Sequence, residues 1–287
     1  MGHVSVGGFD LHVEEIGVGP HLVIAHGMFG SVARSARNGV VGGEIAKRGF
    51  HVVQYDARGH GRSESTSLRD DYRWEALAEE LLGVMDAVGL KQASVLGTSM
   101  GAGAALLAAL AAPDRIERLV LRTPPAMGPD VRRVRRRLGA VKVLYRWLGT
   151  AGAMAVLSAL GQAEVFAEQQ TGVVPAAIEG ILFGRSELPE QRMVEIRCPA
   201  LILTHAGDPD HPLRSGEVLG RMPSATLRVA PCRGYWHTHP EALTTLVASF
   251  LRGEPLEDWH TPPPVRELPP NSGLQQTPTS RSLGGRS

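Results

Sequence analysis

The sequence predicts an α/β fold in which a largely parallel central sheet is covered by helices on both faces. Two observations predict it. Apolar, β-branched runs alternate along the chain with stretches whose apolar residues recur at helical spacing. In addition, 287 residues with 43% hydrophobic and 21% charged side chains are typical of one large α/β domain, or of one domain with an insertion.

The first half of the chain begins with a predicted hairpin and continues as strands and helices in turn. Two short strands, 3–6 and 9–16, are joined at a Gly-Gly pair. The next expected elements are strands at 21–25 and 50–55 and helices at 34–48 and 73–88. A strand at 92–96 then leads through a glycine-rich turn into a helix at 100–112, which Pro113 ends.

The second half adds three strands, at 116–122, 199–204 and 225–230, and two helices, at 213–221 and 240–251. The long stretch after the first of these strands has helical patterns and no convincing strand. We therefore expect an α/β core of residues 1–123 and 195–252, a helical cap insertion at 124–194 and a tail at 253–287. Within that tail, residues 261–287 contain six prolines, four serines and no aromatic residue, which predicts disorder.

Composition and termini exclude several function classes. A formal net charge of +1 and an aromatic content of 5% argue against a nucleic-acid partner. No apolar stretch has the length of a membrane span, and the first residues lack the pattern of a signal peptide. Cys198 precedes its strand and Cys232 follows its own, so in parallel neighbours the thiols would lie too far apart for a disulfide. These features predict a cytoplasmic protein.

The turn between the strand at 92–96 and the following helix holds Ser99 in a Gly-x-Ser-x-Gly motif. A strand that reverses sharply into a helix strains its corner residue and pushes that side chain clear of the backbone. Gly97 and Gly101 remove the Cβ atoms that would collide across the corner. The free N–H groups of the helix also favour negative charge there. Ser99 is therefore a candidate nucleophile, although the motif alone also fits a glycine-rich turn with an incidental serine.

A nucleophilic serine needs a base, and the base needs an acid that orients it. His237, in a loop between the last strand and the last helix, is the preferred base, with His239 as its competitor. Asp208 and Asp210 follow the strand at 199–204, and Asp208 is preferred because it lies closer to the strand end. The chain order Ser, Asp, His is the order expected for one particular fold.

Three motifs and their order resemble those of the α/β-hydrolase fold, over about residues 3–252. They are the loop His26-Gly27-Met28-Phe29-Gly30, the turn from Asp56 to Ser63, and the turn around Ser99. The resemblance implies that Ser99 is the nucleophile and that the backbone N–H groups of Met28 and Met100 form an oxyanion hole. It also implies that Asp56 and Arg58 hold a loop and do no chemistry.

The sequence departs from the family pattern at the acid and at the base. The family places a proline four residues after its acid, as Pro212 follows Asp208, but its Gly-x-x-Asp pattern fits Asp210. Gly234-Tyr235-Trp236-His237 approximates the family turn that carries the histidine, with a short gap to the final helix. Both choices therefore stay open between two residues.

The resemblance implies a serine hydrolase that needs no metal or other cofactor and acts on a small apolar ester or lactone. Carbon–carbon bond hydrolysis and perhydrolase activity are alternatives within the same family. A non-catalytic binding protein on the same fold is the alternative from another class. The arginine-rich start of the expected cap indicates either a solvated helix face or a surface for an anionic membrane or an acidic partner.

Overall fold

An eight-stranded sheet runs through the centre of the protein, in the strand order β1-β2-β4-β3-β5-β6-β7-β8. The computed structural model describes residues 2–37, 42–160, 173–184 and 188–256. The strands are β1 (Gly2–Val6), β2 (Phe9–Ile16), β3 (His21–Ala25), β4 (His51–Tyr55), β5 (Ala93–Thr98), β6 (Ile116–Arg122), β7 (Ala200–His205) and β8 (Ala225–Ala230). The helices are α1 (Val32–Arg37), α2 (Gly42–Ala46), α3 (Trp74–Ala87), α4 (Met100–Ala111), α5 (Val131–Ala159), α6 (Val173–Phe183), α7 (Leu213–Leu219), α8 (Tyr235–Thr238) and α9 (Pro240–Arg252).

The sheet is parallel apart from one strand. Among the described strands, β2 runs antiparallel to its neighbours β1 and β4, and every other pair is parallel. Parallel pairing brings the carboxyl ends of β3, β5 and β7 to the same edge of the sheet. The loops that follow these strands carry the residues that the sequence singled out.

The central strands are buried on both faces. Every residue of β5 from Ala93 to Gly97 is buried, and so is all of β7. Strands of this kind require helices on each side of the sheet. Helix α3 packs on α4, which contacts β3, β5 and β6, whereas α7 packs on β7 and β8 and α9 packs on α2. The predicted α/β class is therefore confirmed.

Most of the predicted elements lie within one or two residues of the observed ones. The strands at 116–122 and 225–230 have the expected bounds. The helix expected at 34–48 is instead two short helices, α1 and α2, and residues 38–41 between them lie outside the described part of the chain. Gly42 explains the close packing of α2, since a Cβ there would lie 2.6 Å from the Gln54 side-chain oxygen.

Between β6 and β7 the described residues form helices and no strand, as the sequence predicts. Helix α5 is interrupted at Gly149, whose φ of +64° breaks the helical geometry, and it packs against α6. Side chains of both helices line a cavity at Ser99. The assignment of 124–194 as a cap insertion stays a prediction.

The described residues belong to one compact unit, Met1–Glu257. The second unit, Asp258–Ser287, lies outside the described residues, and with it most of the predicted tail. Cys198 and Cys232 are both free thiols. None of the helices in the described ranges combines the length and the apolarity that crossing a membrane requires.

Candidate active site

Ser99 occupies the corner between β5 and α4 with a strained backbone. Its φ is +50° and its ψ is −106°, a conformation that residues other than glycine rarely adopt. The flanking glycines are needed for this corner. A Cβ on Gly97 would lie 2.6 Å from the Ala102 Cα, and a Cβ on Gly101 would collide with the Ala25 carbonyl oxygen. The predicted strand–turn–helix around Ser99 is therefore the observed local structure.

The loop after β3 lies directly against this corner. The Gly101 N–H donates to the His26 carbonyl oxygen at 3.1 Å, and a Cβ on Gly27 would lie 3.5 Å from the Ser99 Cβ. The Met28 and Met100 residues line the cavities at Ser99. In the described part of the chain no acceptor is recorded for either backbone N–H, which leaves both donors for an oxygen bound at Ser99.

A histidine from the loop after β7 contacts the serine. His211 Nε2 lies 2.9 Å from Ser99 Oγ, and His211 Nδ1 lies 3.1 Å from Asp208 Oδ2. Because an ionised carboxylate only accepts hydrogen bonds, Nδ1 carries the proton and Nε2 is left to accept from the serine hydroxyl. Hydrogen bonds thus connect the carboxylate of Asp208, the imidazole of His211 and the hydroxyl of Ser99.

Asp208 is held ionised by its surroundings. Burial by itself would raise its pKa, but contacts with His205 and His211 outweigh burial and bring the pKa well below its ordinary value. The backbone N–H of Asp210 also lowers it, donating to Asp208 Oδ1 at 2.9 Å. His205 Nδ1 lies 3.8 Å from the carboxylate. The carboxylate is therefore ionised at neutral pH.

The two candidate acids have different partners. Asp208 contacts the imidazole of His211, whereas Asp210 pairs with Arg137 of α5 at 3.0 Å and lies 3.6 Å from Arg233. Of the two aspartates, Asp208 is therefore the one that is linked to Ser99, through His211.

The two histidines named from the sequence both lie at the start of the last helices. His237 belongs to α8, and its side chain lies outside the described part of the structure. His239 stacks on Tyr235 with ring centroids 4.1 Å apart, and its Nδ1 lies 2.9 Å from the Thr238 hydroxyl. The choice of His237 as the base stays untested.

Sequence reasoning passed over His211. The residue stands in Asp208-Pro209-Asp210-His211-Pro212, three residues after the preferred acid and at the carboxyl end of β7. A histidine in that place, at the edge of the sheet where Ser99 lies, was the available signal. It was missed because the family order places the base after the next strand.

The turn after β4 is held in place by hydrogen bonds to Asp56 and by an ion pair of Arg58. Asp56 accepts hydrogen bonds from the Val32 N–H at 2.6 Å and the Arg62 N–H at 2.9 Å. The guanidinium of Arg58 pairs with the buried carboxylate of Glu80 at 2.6 Å. These contacts agree with the loop-holding roles expected for Asp56 and Arg58.

Two cavities meet at Ser99. The first, which we call the apolar cavity, has a volume of about 430 Å³ and is lined from α5 by Val134, Leu138, Val141 and Leu144. The second, the polar cavity, has a volume of about 300 Å³ and is lined by Arg122, Thr123, His205 and Asp208. Ser99 and His211 line both. Within the described ranges, no three His, Cys, Asp or Glu side chains come together as metal ligands.

Comparison with known proteins identifies the family to which this fold belongs. A family model described as the alpha/beta hydrolase fold matches residues 20–151. RutD of Caulobacter sp. (strain K31), whose name gives carbamate hydrolysis as its proposed activity, is 32% identical over 71% of this chain and 82% of its own. The 2-hydroxy-6-oxononadienedioate/2-hydroxy-6-oxononatrienedioate hydrolase of Comamonas testosteroni is 28% identical, over 85% of this chain and 91% of its own.

A solved structure extends the similarity to the fold. The enol-lactonase from Burkholderia xenovorans LB400 superposes with a TM-score of 0.68 and 25% identity, over 87% of this chain and 99% of its own. Together with the relatives above, this similarity shows that the chain belongs to the α/β-hydrolase family and is a hydrolase.

Proposed function

We propose that the protein is a serine hydrolase that cleaves carboxylic esters or lactones through an acyl-enzyme intermediate. One observation carries the proposal: Ser99 Oγ, the imidazole of His211 and the carboxylate of Asp208 are joined by contacts of 2.9 and 3.1 Å. A hydroxyl is a weak nucleophile at neutral pH, and this arrangement supplies the base that activates it.

The reaction begins at Ser99. Its Oγ attacks the carbonyl carbon while His211 Nε2 takes the hydroxyl proton. The carbonyl oxygen becomes an oxyanion, which the N–H groups of Met28 and Met100 bind, at about 3 kcal/mol for each donor. The bond to the alcohol oxygen then breaks, and the imidazolium returns the proton to that oxygen.

Water completes the cycle. His211 takes a proton from a water molecule, whose oxygen attacks the acyl carbon, and Ser99 leaves with that proton. Asp208 stays ionised throughout, holds the Nδ1–H tautomer and stabilises the imidazolium that forms in each half. For a lactone, the alcohol that leaves in the first half remains part of the acyl group.

The two cavities favour an ester whose acyl portion is apolar and whose alcohol portion is polar. The apolar cavity offers the aliphatic side chains of α5 to an acyl chain, and its volume of about 430 Å³ lies in the range of small-molecule sites. The polar cavity offers arginine and histidine side chains to the alcohol portion. Ser99 lies where the two cavities meet, and the scissile bond would be placed there.

Covalent labelling tests the proposal. A fluorophosphonate reacts with a serine that has a base and an oxyanion hole, so we expect one adduct per chain, on Ser99, and none in Ser99→Ala. We expect His211→Ala to slow labelling by about 1,000-fold or more. His237→Ala is the matched control, with labelling within threefold of the wild type. Absence of an adduct on folded protein would support a non-catalytic binding protein.

If instead His237→Ala abolishes labelling and His211→Ala does not, the reaction class stands and the base is the residue expected from the sequence. Steady-state assays on p-nitrophenyl esters and on lactones, with the same three variants, would then report which substrate class depends on that base.

A second reaction is supported by one relative. The Comamonas testosteroni relative is named a hydrolase of a 2-hydroxy-6-oxo dienedioate, and no ester or lactone is part of that name. Turnover of such a compound, with no activity on esters and lactones, would favour carbon–carbon bond hydrolysis by the same residues.

A further inference from the structure

Helix α5 is strongly basic and carries no acidic residue. Its 29 residues include six arginines and one lysine, and no aspartate or glutamate. A helix of this length on the surface normally mixes charges of both signs. Helix α5 therefore has a positive surface. The recorded ion pairs and hydrogen bonds show which of its seven basic side chains are engaged within the protein.

Three of the seven cations are engaged within the protein. Arg137 pairs with Asp210 at 3.0 Å, Lys142 pairs with Glu179 at 2.9 Å, and Arg135 donates to the Leu182 carbonyl oxygen. The other four are Arg132, Arg133, Arg136 and Arg146. All four are exposed, and no ion pair or hydrogen bond is recorded for them among the residues that the structure describes.

The unpaired arginines share a face with exposed apolar side chains. At 3.6 residues per turn, Arg132, Arg136, Val143 and Trp147 fall within an arc of roughly 60°. Arg133 and Arg146 flank that arc, each by roughly 40°. Trp147 is 77% exposed and Val143 is 48% exposed. We call these six residues the basic face of α5.

Phe183 extends the apolar part of the basic face. It is 42% exposed and lies beside α5, with its ring centroid 4.8 Å from Lys142 Nζ. Leaving most of a tryptophan side chain in water is costly unless another surface covers it. Arginines around such rings are typical of helices that lie in the interface of a membrane.

We propose that the basic face of α5 docks on an anionic phospholipid membrane. The four arginines complement the phosphate groups of the lipids, and no carboxylate of the helix opposes them. Trp147, Val143 and Phe183 enter the headgroup region, where aromatic side chains with one polar edge are favoured. The protein binds to the surface, and no helix inserts across the bilayer.

Docking in this orientation has a consequence for the site. Val134, Leu138 and Val141 lie on the opposite side of the same helix and line the apolar cavity at Ser99. The helix thus separates the lipid surface from the cavity by its own width, about 10 Å. An apolar substrate dissolved in the membrane would reach the cavity over a short path. Docking itself does not depend on the proposed hydrolysis.

Vesicle co-sedimentation of the full chain tests the proposal. We expect the wild type to bind vesicles of phosphatidylcholine with 30% phosphatidylglycerol, and to bind pure phosphatidylcholine vesicles at least about tenfold more weakly. Raising the salt concentration to 0.5 M should weaken binding to the anionic vesicles, because salt screens the attraction.

Two variants of the basic face and one matched control make the test specific. Arg132→Glu with Arg136→Glu should lower the partition coefficient on anionic vesicles by at least about tenfold, since each basic residue contributes near the surface. Trp147→Ser should lower it by about threefold or more on its own. Arg197→Glu with Arg221→Glu makes the same charge change at exposed positions away from α5 and should leave binding within twofold.

Three outcomes would overturn the proposal: equal binding to neutral and anionic vesicles, an equal loss in the control pair, or no vesicle binding at all. Retention on a soluble polyanion without vesicle binding would point to an acidic macromolecule as the partner. Circular dichroism and thermal unfolding show whether each variant is folded, and neither measurement depends on the proposed hydrolysis.

Discussion

Two loops at the carboxyl ends of strands are built alike and have different uses. The turn after β4 contains Asp56 and His60, and the loop after β7 contains Asp208 and His211. Each aspartate accepts two backbone N–H groups, at 2.6 and 2.9 Å for Asp56 and at 2.9 and 3.2 Å for Asp208. Asp208 holds the turn that follows it, whereas Asp56 holds its own turn through Arg62 and also joins it to Val32 at the start of α1.

The histidines show the difference. His60 is 1% exposed, its Nδ1 donates to the Arg58 carbonyl oxygen at 2.9 Å, and its ring lies 5.1 Å from the ring of His26. His211 is 22% exposed, lines both cavities and contacts Ser99. Access to a cavity and contact with a hydroxyl distinguish the histidine proposed as the base from the one that supports a loop, and neither property is visible in the residue type.

Substitution of Asp208, the proposed acid, should give the largest effect on kcat/KM. Asp208→Asn keeps the shape of the side chain but no longer holds the imidazole tautomer, so we expect kcat/KM to fall by about 1,000- to 10,000-fold. Asp210→Asn is the matched control and should change it by less than about tenfold, because its partners are Arg137 and Arg233. Steady-state hydrolysis of a p-nitrophenyl ester measures both. Equal losses would remove the distinction between the two aspartates.

The buried histidines should make the fold sensitive to acid. Burial lowers the pKa of His26 to about 4 and, with repulsion from His26, the pKa of His60 to about 3. The unfolded chain therefore binds more protons than the folded one below about pH 6.5, and stability falls as the pH falls. Between pH 7 and pH 5 each histidine should remove about 2 kcal/mol from the free energy of unfolding.

Urea unfolding at the two pH values measures this loss. His60→Gln should reduce the difference between pH 7 and pH 5 by about 2 kcal/mol, whereas His3→Gln, at an exposed position, should leave it unchanged. A difference that persists undiminished in His60→Gln would show that the pKa of His60 is not lowered in the folded protein.

Changes in α5 should alter substrate preference and spare the chemistry. Leu138→Ala and Leu144→Ala enlarge the apolar cavity, so we expect the preferred acyl chain to lengthen, with a change of about 10-fold in the ratio of kcat/KM values between chain lengths. Leu148→Ala, at an exposed position of the same helix, is the control. An unchanged chain-length profile in folded variants would mean that the acyl chain binds elsewhere.

Removal of the tail should have the smallest effect. Residues 261–287 contain no aromatic side chain and few large apolar ones, so deletion from residue 261 should change the free energy of unfolding by less than about 0.5 kcal/mol. Thermal unfolding compares the truncated and full chains. A fall in melting temperature of more than about 5 °C would show that the tail packs on the folded unit.

The local signals of this sequence were sufficient for the fold. Alternating strands and helices, the stop at Pro113 and the glycines beside Ser99 act over a few residues, and each sets backbone geometry directly. The same holds for the strained corner at Ser99, since only Gly97 and Gly101 leave space for it. Gly97 meets its neighbour Ala102 and depends on the local chain, whereas Gly101 is required because Ala25 of β3 lies against it, which is a tertiary contact.

The partners of Ser99 depended on the tertiary structure. His211 stands 112 residues after Ser99, and only the parallel pairing of β5, β6 and β7 brings their carboxyl ends to one edge. The sequence ranked Asp208 above Asp210 by its distance from the strand end, but the contact with His211 or with Arg137 decides which way each carboxylate faces. Contacts of this kind are set by strand order and loop packing, which no local pattern encodes.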